Sequence, residues 1–163
     1  MSSSVLPTRL TLTPGRKILV WLPTFVWLCV LALFSTDLFS AAHTGIILWR
    51  IVGFIYPGIT GEQFEGLHFI VRKAAHFTCY GFLSFLAFFA WRATLPTGDR
   101  WNFRWARLAL LVTLLAGSLD ETHQIFVYSR TASVRDVLLD VSGGVFFQLA
   151  IWLVLRREKR TDR

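Results

Sequence analysis

Ile18 to Phe34 reads ILVWLPTFVWLCVLALF, seventeen residues without a charge. A bilayer's hydrocarbon core takes about 20 apolar residues to cross as a helix. The stretch is therefore read as a transmembrane helix, with Pro23 in its first turns, where proline is tolerated. Its apolar run exceeds the roughly 7–15 residues of a signal-peptide core. Ser35-Thr36-Asp37 offers no small-residue cleavage pattern, so a retained signal anchor is expected.

Three further segments follow the same logic. Ala74 to Trp91 is apolar around His76, Ala106 to Val127 is apolar as far as Leu119, and Val134 to Leu155 is apolar after two turns. The expected fold is all-α: a membrane bundle of four transmembrane helices at about 18–34, 74–91, 106–127 and 134–155. This membrane domain, residues 18–155, lies between an N-terminal tail (1–17) and a basic tail (156–163). Ile46 to Tyr56 is too short to span, contains Arg50 and stops at Pro57-Gly58, so it reads as an interfacial or re-entrant segment of the first outer loop.

Composition supports this class. Of 163 residues, 54% are hydrophobic and 17% charged, against about 25% charged in an ordinary soluble domain. The Phe and Trp content argues against a disordered chain. Two cysteines cannot build a disulfide scaffold; Cys29 and Cys79 fall inside predicted helices and are expected to be free thiols. The net charge of +7, on so apolar a chain, points to basic membrane flanks and to membrane lipids as partners, with no nucleic acid.

The charges are unevenly placed. The N-terminus, the 92–107 loop and the tail hold twelve basic residues against three acids, net +9; the other loops and adjoining helix ends hold five against seven, net −2. Lys and Arg concentrate on the cytoplasmic side, so both termini are expected in the cytoplasm of a bacterial inner membrane. Basic flanks also favour anionic headgroups. In this topology the polar ends of the last three helices meet at one outer depth, together with His43, His68, His76 and His123.

Three groups form that constellation. Lys73, His76 and Tyr80, at i, i+3 and i+7, share a helical face, and Arg72 neighbours His76 at i+4. Snorkelling to the headgroups is the competing account of Arg72 and Lys73. In the third helix Asp120, His123 and Gln124 share a face, with Glu121 adjacent. Carboxylates at a span end are costly, about 2.5–3.5 kcal/mol at the bilayer centre and less near the interface, which favours pairing inside the bundle. In the fourth helix Asp136 and Asp140 are one turn apart. Asp136 alone is also explained as a first-turn acid on the helix dipole behind a Ser133 cap; Asp140, about 6 Å deeper, is not. Gly143-Gly144 suit close helix packing. Arg130, in the turn between these helices, can pair with an acid or take a phosphate in its planar fork.

These residues suit several chemistries. His76, His123, Asp120 and Asp140 are the candidates for catalysis, with an Asp–His pair as a general base. Their types would suit a divalent metal, yet no HExxH, cysteine pair or glycine-rich phosphate loop is present, so no metal site is assigned. Arg72, Lys73 and Arg130 can hold a lipid phosphate.

The string Val71-Arg72-Lys73-Ala74-Ala75-His76-Phe77, followed by Tyr80, resembles the RKxxHF…Y signature of VanZ-like membrane proteins. Leu119-Asp120-Glu121-Thr122-His123-Gln124-Ile125-Phe126-Val127, then Arg130, is similar to that family's DExHQxF…R segment, and Asp136…Asp140…Gly143 to its DxxxDxxG helix. The similarity runs from about Ser35 to Val154. Cys79 stands where many relatives carry Glu, and Tyr128-Ser129 where many carry Pro-Gly; the first weakens a carboxylate-rich metal site.

The family is named for a protein associated with teicoplanin resistance, so the resemblance implies a link to the cell envelope and leaves the reaction open. The leading expectation is an outward-facing pocket lined by Arg72, Lys73, His76, Tyr80, Asp120, Glu121, His123, Gln124, Arg130, Asp136 and Asp140. It would bind or handle an envelope intermediate, a lipid-linked phosphate or a glycopeptide-antibiotic target. The alternatives are a membrane hydrolase or transferase using the Asp/His set, and a non-catalytic assembly partner of another membrane protein.

Overall fold

A computed structural model of the protein describes residues 13–36, 41–97, 99–125 and 133–161. Among these residues there are five helices and no strand: α1 (Pro14–Phe34), α2 (Ala41–Ile55), α3 (Gly61–Thr94), α4 (Phe103–Ile125) and α5 (Val134–Thr161). The helix expected at 18–34 begins at Pro14, a first-turn position that suits a residue without an N–H. Pro23 consequently lies in the helix interior instead of its first turns.

Among the described residues three helices are both long and apolar enough to cross a membrane: Pro14–Phe34, Gly61–Thr94 and Val134–Arg156. α4 differs for a simple reason. It has 23 residues, but its uncharged stretch is confined to the segment between Arg107 and Asp120. The polar residues that end that stretch are themselves helical.

The largest departure from the sequence expectation is α3. Its helix begins at Gly61, not near Ala74, and its 34 residues extend about 51 Å at 1.5 Å each. The reason is local: Thr60 and Gln63 form a reciprocal capping box, with Gln63 N to Thr60 Oγ1 at 3.3 Å and Thr60 N to Gln63 Oε1 at 3.1 Å. A mixed polar stretch that shows no span periodicity is thereby drawn into the same helix as the apolar segment behind it.

α3 is the hub. It packs most extensively on α5, then on α4 and α1, and only lightly on α2. Contact with α5 is close because Gly143 has no side chain: a Cβ there would overlap the Phe77 backbone carbonyl. Small residues at such crossings let two backbones approach.

One end of the bundle is closed by Ala87, Phe88, Trp105, Ala106, Ala109 and Ile151. Trp21 Nε1 donates to Thr94 Oγ1 at 2.9 Å and meets Trp91 edge-on, while Trp105 Nε1 donates to the Leu95 carbonyl at 2.9 Å. Arg92, Arg107 and Arg156 lie over Phe89, Phe103 and Trp152. This half is not wholly apolar: Gln148 Nε2 donates to Ser84 Oγ at 2.8 Å and to its carbonyl at 3.0 Å, joining α5 to α3.

Candidate functional site

The polar residues gather at the other end, where the α3–α5 crossing fixes the rotation of both helices. Two contacts, one turn apart, tie them together. Lys73 Nζ pairs with Asp136 Oδ1 at 2.5 Å, and His76 Nδ1 lies 3.3 Å from Asp140 Oδ1. The i, i+3 spacing on α3 thus meets the i, i+4 spacing on α5. Asp136 is therefore an ion-pair partner as well as a first-turn acid.

Asp140 has no solvent exposure. Gly117 on α4 makes room for it, since a Cβ on that glycine would lie 3.2 Å from Asp140 Oδ2. Among the described residues that oxygen has no hydrogen-bond partner, so the carboxyl keeps acceptor capacity in a place where an unsatisfied polar atom is costly. On the other side His76 stacks on Tyr80, with ring centroids 6.1 Å apart and 20° between planes.

α4 supplies a second acidic group. Glu121 is buried and its Oε2 accepts the Ser133 backbone N–H at 2.6 Å. Ser133 immediately precedes α5, and its carbonyl accepts from Asp136 N at 2.9 Å. Glu121 therefore anchors the start of α5 to α4 across the turn. Asp120 Oδ2 accepts from Gln124 Nε2 at 3.3 Å. His123 points elsewhere: it is exposed, and its Nδ1 lies 3.2 Å from Ser35 Oγ at the end of α1. Arg130 lies outside the described residues.

Beside this cluster is a cavity of about 440 Å³. Of the sequence-selected residues, Arg72, His76, Tyr80 and Asp120 line it; Lys73, Glu121, His123, Gln124, Asp136 and Asp140 do not. The other walls are mainly apolar and come from α1 and α2, including Leu31, Phe34, Ile47 and Ile51. The cavity is thus amphipathic, with a polar wall on α3 and α4.

His68, expected on this side of the protein but outside the site, and α2, expected to take no part in it, both belong to the cavity. His68 is buried, stacks on Phe64 at 5.7 Å, and places Nε2 3.3 Å from Thr44 Oγ1 of α2. Both His68 and Thr44 line the cavity. The i, i+4 spacing of Phe64, His68 and Arg72 is the signal that extending the helical period upstream of Lys73 would have exposed. Among the described residues no three His, Cys, Asp or Glu side chains converge as a metal site.

Long apolar helices with exposed apolar faces, joined at one end by partly buried charged and polar contacts, define a helical membrane protein. The VanZ/LLP1 family model matches residues 18–155, and the chain belongs to that family. No curated protein and no solved structure matches it.

Proposed function

We propose that the chain is a bacterial inner-membrane protein whose outward-facing pocket binds or handles a lipid-linked phosphate of the cell envelope. The observation that carries this is the amphipathic cavity, apolar on α1 and α2 and lined by Arg72, His76, Tyr80 and Asp120 on the other side. Ligand pockets of this size are typically apolar with a few placed polar groups, and a guanidinium matches a phosphate through its planar fork. Lys73, held by Asp136, positions α3 against α5, and Arg72 takes the anion. Arg72→Gln is expected to reduce co-purified anionic lipid about tenfold, a loss of about 1.4 kcal/mol, measured by mass spectrometry of the purified protein. Equal lipid in both proteins would sink the binding reading.

In this reading 18–155 is the membrane domain between two cytoplasmic tails, α4 is the fourth span, and α2 lies at the outer interface. The packing of α4 against both α3 and α5 and the charge asymmetry of +9 against −2 support it. With both native cysteines replaced by serine, Gly61→Cys is expected to react with an impermeant maleimide on intact cells and Thr97→Cys only after lysis. The opposite pattern would invert the topology.

A hydrolase or transferase is the second reading, favoured by the His76–Asp140 contact. A histidine that lines a cavity and is oriented by a buried carboxylate has the arrangement of a general base.

A further inference from the structure

The rim of the cavity differs from its interior. Four of its lining side chains are large, apolar and exposed: Phe34 on α1 (40%), Ile47 (62%) and Ile51 (53%) on α2, and Val71 on α3 (42%). The polar lining is less exposed: Tyr80 is buried, and Arg72, His76 and Asp120 are half-buried. A mouth open only to water would hold these apolar side chains against solvent. The same rim against lipid tails carries no such hydration penalty.

The thin side of the cavity is the seam between α1 and α2. Both helices wall the cavity, yet among the described residues their backbones make little close approach to each other, and α2 packs only lightly on α3. His68 with Thr44, and Trp49 edge-on to Phe64 at 4.8 Å, join α2 to α3. Three of the four exposed rim residues belong to α1 and α2.

We propose that this seam is a lateral portal. A membrane lipid inserts its phosphodiester headgroup between α1 and α2 towards Arg72 and His76, leaving its tails across Phe34, Ile47 and Ile51 in the bilayer. The volume of about 440 Å³ suits a headgroup, with the tails outside. Among the described residues the wall carries one guanidinium, Arg72, and one carboxylate, Asp120. With those two charges offsetting each other, a singly charged headgroup leaves the cavity at −1 and a doubly ionised phosphate leaves it at −2, and the cost of burying net charge beside apolar walls rises with its size. This inference rests on the phosphate-binding reading above and adds the route and the headgroup class.

The protein carries its own reporter. Cys79 lines the cavity and is half-buried, whereas Cys29 is exposed on α1. In the full-length Cys29→Ser protein in uncharged maltoside micelles, alkylation of Cys79 by N-ethylmaleimide is followed over time. It is compared with added phosphatidylglycerol and with its water-soluble deacylated headgroup, glycerophosphoglycerol. Phosphatidylglycerol is expected to slow alkylation about tenfold, and the deacylated headgroup at equal concentration to leave it unchanged.

Ile47→Asn and, separately, Ile51→Asn should abolish the lipid's protection. Both positions are exposed, so two independent variants guard against one that misfolds. Protection by the soluble headgroup equal to that by the lipid, or protection by lipid that both rim variants retain, would overturn the portal and leave the phosphate-binding cavity standing. Failure of both lipid and headgroup to protect Cys79 would overturn the portal and the phosphate-binding reading together.

Discussion

Gly143→Ala is expected to destabilise the bundle by about 1–3 kcal/mol, the range for overpacking a closely packed interior. The added methyl would fall on the Phe77 backbone carbonyl, and a backbone cannot rotate aside as a side chain can. α3 and α5 must then separate, and their contact is the most extensive in the fold. Separation also lengthens Lys73–Asp136 and His76–Asp140, so loss of stability and loss of the site should coincide. The control is Gly66→Ala, on the same α3 helix but with nothing within 4 Å of the new methyl. Relieved of glycine's conformational entropy, it should be neutral or gain about 0.5–1 kcal/mol. Thermal unfolding in one detergent, followed by circular dichroism, compares the two. Equal melting temperatures would show that α3 and α5 do not approach at Gly143.

The second large effect concerns His76 and Asp140. Asp140→Ala removes a fully buried carboxylate and leaves the imidazole without the partner 3.3 Å away. Leaving one buried partner unsatisfied costs about 1–3 kcal/mol. His76→Ala should lose a similar amount for the mirror reason, because Asp140 already has one oxygen without a partner among the described residues. The double variant should recover part of the loss, with a coupling energy of about 0.5–3 kcal/mol. Strict additivity would mean that the pair does not interact.

The same pair separates binding from catalysis. Asp140→Asn preserves the shape of the side chain but cannot hold an imidazolium. If His76 is a general base acting on a bound lipid phosphate, this variant should keep lipid retention while turnover falls about 10²–10⁴-fold, the range for such catalysis. If the pocket only binds, no lipid phosphate is turned over by either protein, and retention is the sole property that Arg72→Gln changes.

Much of the fold was legible along the chain. The charge-free run through α1 marks a span without any help from neighbours, because a bilayer selects on local length and hydropathy. Helical period placed Lys73, His76 and Tyr80 together, and likewise Asp136 and Asp140, since spacing on one helix is local geometry. The start of α3 was not legible as part of a span, because a capping box and a mixed polar stretch mark a helix but not a membrane segment. The uncharged stretch of α4 is short, and only the apolar Ile125-Phe126-Val127 beyond its polar end argues for a span; by length and hydropathy, three helices among the described residues qualify.

The sequence by itself determined the class of the protein, its family signature and which polar residues share a face. Those properties depend on residue type at fixed intervals along one helix. Only the tertiary structure decided the partners: Lys73 with Asp136, His76 with Asp140, Glu121 with the start of α5, and His123 with Ser35 apart from the others. It also made α2 and His68 part of the cavity. Partner choice depends on how far each helix is rotated and how closely it can approach its neighbour. Here two glycines on different helices set that approach, Gly143 at the Phe77 carbonyl and Gly117 beside Asp140, and their consequences become visible only when the helices are packed together.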